Sequence, residues 1–144
     1  MASRSEGGLL TDKGRQFYTY TVANGLSDHR VSAIFEDSRN NIGVGTYSGW
    51  SRFIDGRFRS EFNVNGMPYG SINTFFEDSW GDLWVGSREG LIRLTPKVFS
   101  VYTTRQGLSH NNVKSVLEDR AGRLWVGTWG GGLNELTAER VRVY

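Results

Sequence analysis

The chain has 144 residues, 38% hydrophobic and 22% charged, and its 17 Lys and Arg against 15 Asp and Glu leave a formal net charge of +2. That length sets one domain, residues 1–144, as the expectation. The absence of cysteine excludes disulfides and thiolate metal sites, and the basic residues lie scattered among carboxylates, which gives no support for a nucleic-acid partner.

Read in chain order, the polar stretch 1–6 is followed by two short apolar segments within residues 7–20, with Gly8 and Phe17 as landmarks. The next segment, 31–37, runs from Val31 through apolar residues to Glu36-Asp37. A polar turn leads to Ile42-Gly43-Val44-Gly45-Thr46, then come 50–54 and 58–62. The same order returns at 72–78, 83–87, 90–94 and 98–102, and again at 113–119, 124–128, 132–136 and 141–144. Each segment is short, rich in β-branched and aromatic residues, and bounded by Gly, Asn, Asp or Ser, which predicts strands.

The segments repeat with a period of 41 residues: Glu36-Asp37, Glu77-Asp78 and Glu118-Asp119 are in phase, as are Gly45, Gly86 and Gly127. Self-similarity at this spacing marks units that cannot bury their apolar faces alone. Four strands in 41 residues make one blade of a β-propeller. Gly8 falls in phase with Gly49, Gly90 and Gly131, and Phe17 with Phe58 and Phe99, so the N-terminal remainder repeats the last two strands of a blade. The predicted fold is therefore all-β: a half-blade at about 7–20, then four-stranded antiparallel blades at about 21–62, 63–102 and 103–144. Propellers close with about four to eight blades. Three and a half blades predict either a piece of a longer protein or a ring closed by homo-oligomerisation, the expectation favoured here, a homodimer giving six full blades and a homotrimer nine.

The stretch Gly107-Leu108-Ser109-His110-Asn111-Asn112-Val113, with Leu117-Glu118-Asp119 and Leu124-Trp125-Val126-Gly127-Thr128-Trp129-Gly130-Gly131-Gly132-Leu133, resembles the two-component regulator propeller repeat. The second unit resembles it from Ile72 to Leu94, and the first departs from it at Gly43, where the others have Trp84 and Trp125. The resemblance implies a propeller from the extracytoplasmic sensor region of a bacterial hybrid histidine kinase and a ligand-sensing role, and it carries over no catalytic residue. The chain as given has no apolar run for a signal peptide or a membrane span, so the expected location is cytoplasmic as given, and periplasmic for a fragment of a sensor.

The repeated Glu-Asp pairs have the composition of a general acid and base. A catalytic site is singular, whereas a turn device repeats, so the Asp is expected to accept hydrogen bonds from the backbone of the turn that follows it. Trp84 and Trp125 are expected in the wedge between blades, with Trp50 or a partner chain filling the space at Gly43. Ligand-binding candidates are the non-repeating residues of the loops that open on one face of the ring: His29, Tyr47, Trp50, Tyr69, Arg88, Glu89, His110, Asn111 and Trp129. Aromatic planes beside Arg, Asn and His donors suit a carbohydrate or other small polar ligand. No cofactor, metal or membrane partner is expected. The enzyme alternative, a propeller lyase of the streptogramin-lyase type, would need His29 or His110 with Glu89; a purely structural assembly unit is the third reading.

Overall fold

A computed structural model of the chain describes residues 8–12, 14, 16–61, 70–95, 98–138 and 140–144. Among them are fourteen strands: β1 (Leu9–Asp12), β2 (Phe17–Tyr20), β3 (Val31–Glu36), β4 (Ile42–Thr46), β5 (Gly49–Ile54), β6 (Arg57–Glu61), β7 (Ile72–Glu77), β8 (Leu83–Ser87), β9 (Leu91–Leu94), β10 (Phe99–Tyr102), β11 (Val113–Glu118), β12 (Leu124–Thr128), β13 (Gly132–Leu136) and β14 (Val141–Val143). They form three antiparallel meanders, β3-β4-β5-β6, β7-β8-β9-β10 and β11-β12-β13-β14, and the two-stranded sheet β1-β2. We call the meanders blades one to three. The first strand of each is innermost, β3 packing against β7 and β7 against β11.

Alternation along the strands sends one set of side chains to each neighbouring blade. Trp50, Ile72, Val85 and Ile92 fill the space between blades one and two. Trp84, Leu91, Leu108, Val113 and Val126 fill that between blades two and three. Leu9 and Tyr20 of the half-blade cover Leu26, Val44 and Phe58 on the other side of blade one. Gly45 and Gly86 are glycine because the next blade presses on them: a Cβ would stand 2.8 Å from the Ile72 side chain at Gly45 and 2.7 Å from Val113 at Gly86.

The exception to the pattern at Gly43 is filled from within the chain. The Trp50 ring lies over it, 3.5 Å from where a Cβ would be, and stacks obliquely against Phe75 of the next blade. Trp84 lies in the wedge as expected, whereas Trp125 is half-buried on the uncovered side of blade three, against Tyr144.

The phase also needs one correction. Thr46 and Ser87 donate to the carbonyls of Gly49 and Gly90, three residues on, but Thr128 donates to that of Gly132, four residues on. One residue is inserted in the Gly130-Gly131-Gly132 turn, so Gly132, not Gly131, is the counterpart of Gly8, Gly49 and Gly90. Tyr144 thereby becomes the counterpart of Tyr102 and Tyr20.

Candidate functional site

The loops that enter β3 and β11 are folded by their own sequence. Thr21 caps the 3-10 turn Val22–Asn24 and Thr103 caps Thr104–Gln106, each in a reciprocal capping box that ends on a left-handed glycine, Gly25 or Gly107. Buried polar side chains then pin the loops to the blade beneath. The Ser27 amide donates to Ser51 Oγ at 3.0 Å, and the Ser109 amide donates to Asn134 Oδ1 at 2.8 Å.

These loops share a face with the β4-β5, β8-β9 and β12-β13 turns, and one backbone bond recurs across the pair in every blade. The amide of Tyr47 donates to the Arg30 carbonyl (3.2 Å), that of Arg88 to Ser71 (3.1 Å) and that of Trp129 to Asn112 (2.9 Å). Tyr47, Arg88 and Trp129 therefore occupy one structural position, repeated around the propeller axis. The position carries three different side chains, all exposed, with Tyr47 at 44% and Trp129 at 66%.

Cations accompany both rings. Arg30 lies 4.8 Å and Arg88 5.8 Å from the centre of the Tyr47 ring, and the Lys114 ammonium lies 5.2 Å from that of Trp129. Arg30 is paired with Asp28 at 2.9 Å, and its guanidinium holds that carboxyl well below the usual carboxylate range. Arg88 and Lys114 have no carboxylate partner among the described residues. The face thus offers two aromatic planes and two uncommitted cations, a set able to stack on an apolar sugar face and donate to hydroxyls or an anionic group.

The other candidates divide. Glu89 and His29 are exposed on the same face. His110 is exposed, but its Nδ1 accepts from the Asn112 amide at 3.0 Å. Asn111 is a loop fastener, its Oδ1 accepting from the Thr104 amide at 2.7 Å. Trp50 leaves the candidate surface altogether: at 5% exposure it belongs to the interblade core, where the gap at Gly43 draws it. Tyr69 lies outside the described residues. Lys114 is the residue that sequence reasoning missed, and its signal was available: it stands in phase with Ser32 and Asn73, a non-repeating place at the start of the inner strand. No group of three metal-ligating side chains gathers among the described residues.

At the opposite end, the repeated carboxylates have the structural role expected of them. Asp37 Oδ1 accepts from the Arg39 and Asn41 amides, Asp78 Oδ1 from Trp80 and Asp82, and Asp119 Oδ1 from Ala121 and Arg123, all within 2.7–3.0 Å. The second oxygen of Asp78 and Asp119 takes the indole N–H of Trp84 (2.8 Å) and Trp125 (2.9 Å); in blade one, Asn41 Nδ2 serves Asp37 instead. The Trp125 indole and the Arg123 amide hold the Asp119 carboxyl far below its ordinary value. A cleft of about 430 Å³ opens between blades two and three, lined among others by Asp78, Trp80, Trp84 and Arg140. None of the eight described candidate residues lines it, and its Asp78 and Trp84 are already bound to one another.

The glutamates were not anticipated. Glu77 reaches back to blade one, accepting from the amide and hydroxyl of Ser38 at 2.7 Å each, and Glu118 accepts from Ser79 in the same way at 2.7 and 2.8 Å. In the second and third pairs the first carboxylate ties blades together, and in all three the second folds a turn.

Residues 66–89 and 107–130 match the family model described as two component regulator propeller. The chain carries two-component regulator propeller repeats. They fall on the second and third blades, where the repeat tryptophan is present. Among solved structures, the extracellular domain ascribed to the hybrid two component system BT3049 of B. thetaiotaomicron is similar at 26% identity with a TM-score of 0.83, covering 96% of this chain and 19% of that one. The extracellular domain ascribed to BT4673 of the same organism gives 19% identity and a TM-score of 0.80, over 96% of this chain and 22% of that one, and supports the fold. The chain spans about a fifth of the length of these neighbours. No curated protein matches it. Among the described residues, no helix is long and apolar enough to cross a membrane.

Proposed function

We propose that this regulator-propeller chain is a non-catalytic sensory module that binds a carbohydrate or other small polar ligand on its loop face and completes its ring by pairing with a second copy. The observation that carries the ligand reading is the single repeated position holding Tyr47, Arg88 and Trp129. The fold needs only the backbone amide there, supplied alike in all three blades, so the side chains are free to serve recognition. The extracellular setting of the neighbouring structures favours a periplasmic or extracellular location over a cytoplasmic one.

The lyase reading gains no support from the geometry. His110 spends its Nδ1 on a local amide, and no interaction joins either histidine to Glu89 among the described residues. A thermal-shift screen with neutral and acidic oligosaccharides tests the ligand reading. A hit is expected with the unchanged chain and not with the Tyr47→Ala/Arg88→Ala/Trp129→Ala variant, whose melting temperature should otherwise stay near that of the parent. A ligand that stabilises both proteins equally would refute this placement of the site.

A further inference from the structure

We infer that the uncovered face of blade three docks on the β3 side of blade one of a second copy, through side chains that reproduce the contacts made twice inside the chain. This rests on the self-association part of the proposed function and gives it an interface.

Each internal blade junction is built from the same matched contacts. Gly45 receives Ile72, and Gly86 receives Val113. Phe35 stacks on Phe75 at 5.8 Å, and Phe76 packs on the cluster that contains Val116. Ser32 donates to the Ile72 carbonyl, and Asn73 donates to that of Val113. Ser38 donates to Glu77, and Ser79 to Glu118. A further step of 41 residues leads off blade three and returns to blade one, where every element of the set has a counterpart, Val31 lying under the half-blade and Lys114 beside Trp129 until the copies join. Gly127 meets Val31. Leu117, 59% exposed, meets Ile34, 62% exposed. Lys114 stands where Ser32 and Asn73 donate, facing the Val31 carbonyl, and Arg120 stands where Ser38 and Ser79 donate, facing Glu36.

The last pair points to a second copy of this chain. Inside the chain the donor is a neutral serine; at the open end it is an arginine, and the carboxylate it would meet, Glu36, has no hydrogen-bond or ion-pair partner among the described residues. Charge and shape thus match the two open faces to each other. Two copies joined head to tail through two such junctions make six blades, within the usual range.

One segment competes for the bed. Leu9 and Tyr20 of β1-β2 cover Leu26, Val44 and Phe58, the place that Leu133 and Tyr144 of an incoming blade three would take. Leu133 is 42% exposed while its counterparts Leu9, Trp50 and Leu91 are buried. The β1-β2 hairpin therefore lifts off blade one when the copies join.

The test is the mass in solution by light scattering across a dilution series, for the full chain, Arg120→Glu, Glu36→Arg and the double variant carrying both, with circular dichroism reporting the fold. Both residues are exposed, so each variant is expected to fold. The parent should reach twice the 16.2 kDa chain mass. Each single reversal should raise the dissociation constant at least about tenfold, as loss of an interfacial charge pair does, and the double reversal should restore it. Gly127→Leu, which fills the socket for Val31, should hold the chain monomeric while folded. A parent that stays monomeric at every concentration overturns the inference without touching the ligand site, and so does a dimer indifferent to both charge reversals and to Gly127→Leu.

Discussion

Trp50→Ala should be among the most destabilising single substitutions in blade one. The indole is 5% exposed, covers Gly43, contacts Phe75 at 5.7 Å between ring centres and shares a cluster with Ile72, Val85 and Ile92. Truncating a buried tryptophan costs about 3–5 kcal/mol when the site cannot collapse, and Gly43 offers nothing to collapse with. At about 2–4 °C per kcal/mol for a chain of this size, the melting temperature should drop by about 6–20 °C. Blade two shows how to restore it: there the tryptophan is Trp84 on the neighbouring strand, and Leu91 stands where Trp50 does. The double variant Gly43→Trp/Trp50→Leu copies that arrangement, with the new indole N–H in reach of Asp37 as Trp84 is of Asp78. Urea unfolding followed by circular dichroism should show it well above Trp50→Leu alone. A Trp50→Ala variant within about 1 kcal/mol of the parent, or a double variant no better than its parts, would refute the filling of the gap by Trp50. The indole also has a buried Nε1 with no hydrogen-bond partner among the described residues, so Trp50→Phe should cost clearly less than Trp50→Ala.

Glu77→Gln should loosen blade one from blade two at a cost of about 1–2 kcal/mol, because the Ser38 amide and hydroxyl both lose a charged acceptor; hydrogen exchange at the Ser38 amide is the readout. Gly86→Ala should cost about 1–3 kcal/mol through its clash with Val113, whereas Gly127→Ala, which meets only the Ser115 hydroxyl, should leave the monomer's melting temperature nearly unchanged. Acid should unfold the chain partly through the turn aspartates. Asp119 is held below its ordinary 3.8 by Trp125 and its turn amides, and Asp37 is also lowered, the bonds from Asn41 and Arg39 outweighing a burial that alone would raise it. A depressed carboxyl stabilises the fold above its unfolded value and loses that contribution as pH falls through the folded one, so stability should decline from about pH 4 downward. Asp119→Asn should flatten that decline in a pH series of urea midpoints.

The blades were legible because a 41-residue period and two-residue alternation are written directly into side-chain type. The turn role of Asp37, Asp78 and Asp119 followed from their recurrence, and the vacancy at Gly43 announced a large neighbour. Contacts across blades were less legible. Glu77 and Ser38 lie 39 residues apart, and nothing local distinguishes a glutamate that bridges blades from one that faces water. The inserted residue at Gly130-Gly131-Gly132 is invisible where three glycines in a row satisfy either register. On the loop face, Tyr47, Arg88 and Trp129 were singled out because they vary at a repeated place. Asn111 and Trp50 were drawn away by packing and capping that the repeat alone does not reveal.

The ligand site is tested most directly by backbone amide shift mapping with the saccharide that gives the largest thermal shift. The largest perturbations are expected at Tyr47, Arg88 and Trp129 and at Arg30 and Lys114 beside them. Perturbations gathered instead around Asp78, Trp80 and Arg140, at the cleft between blades two and three, would contradict the account and move the site to the other end of the blades.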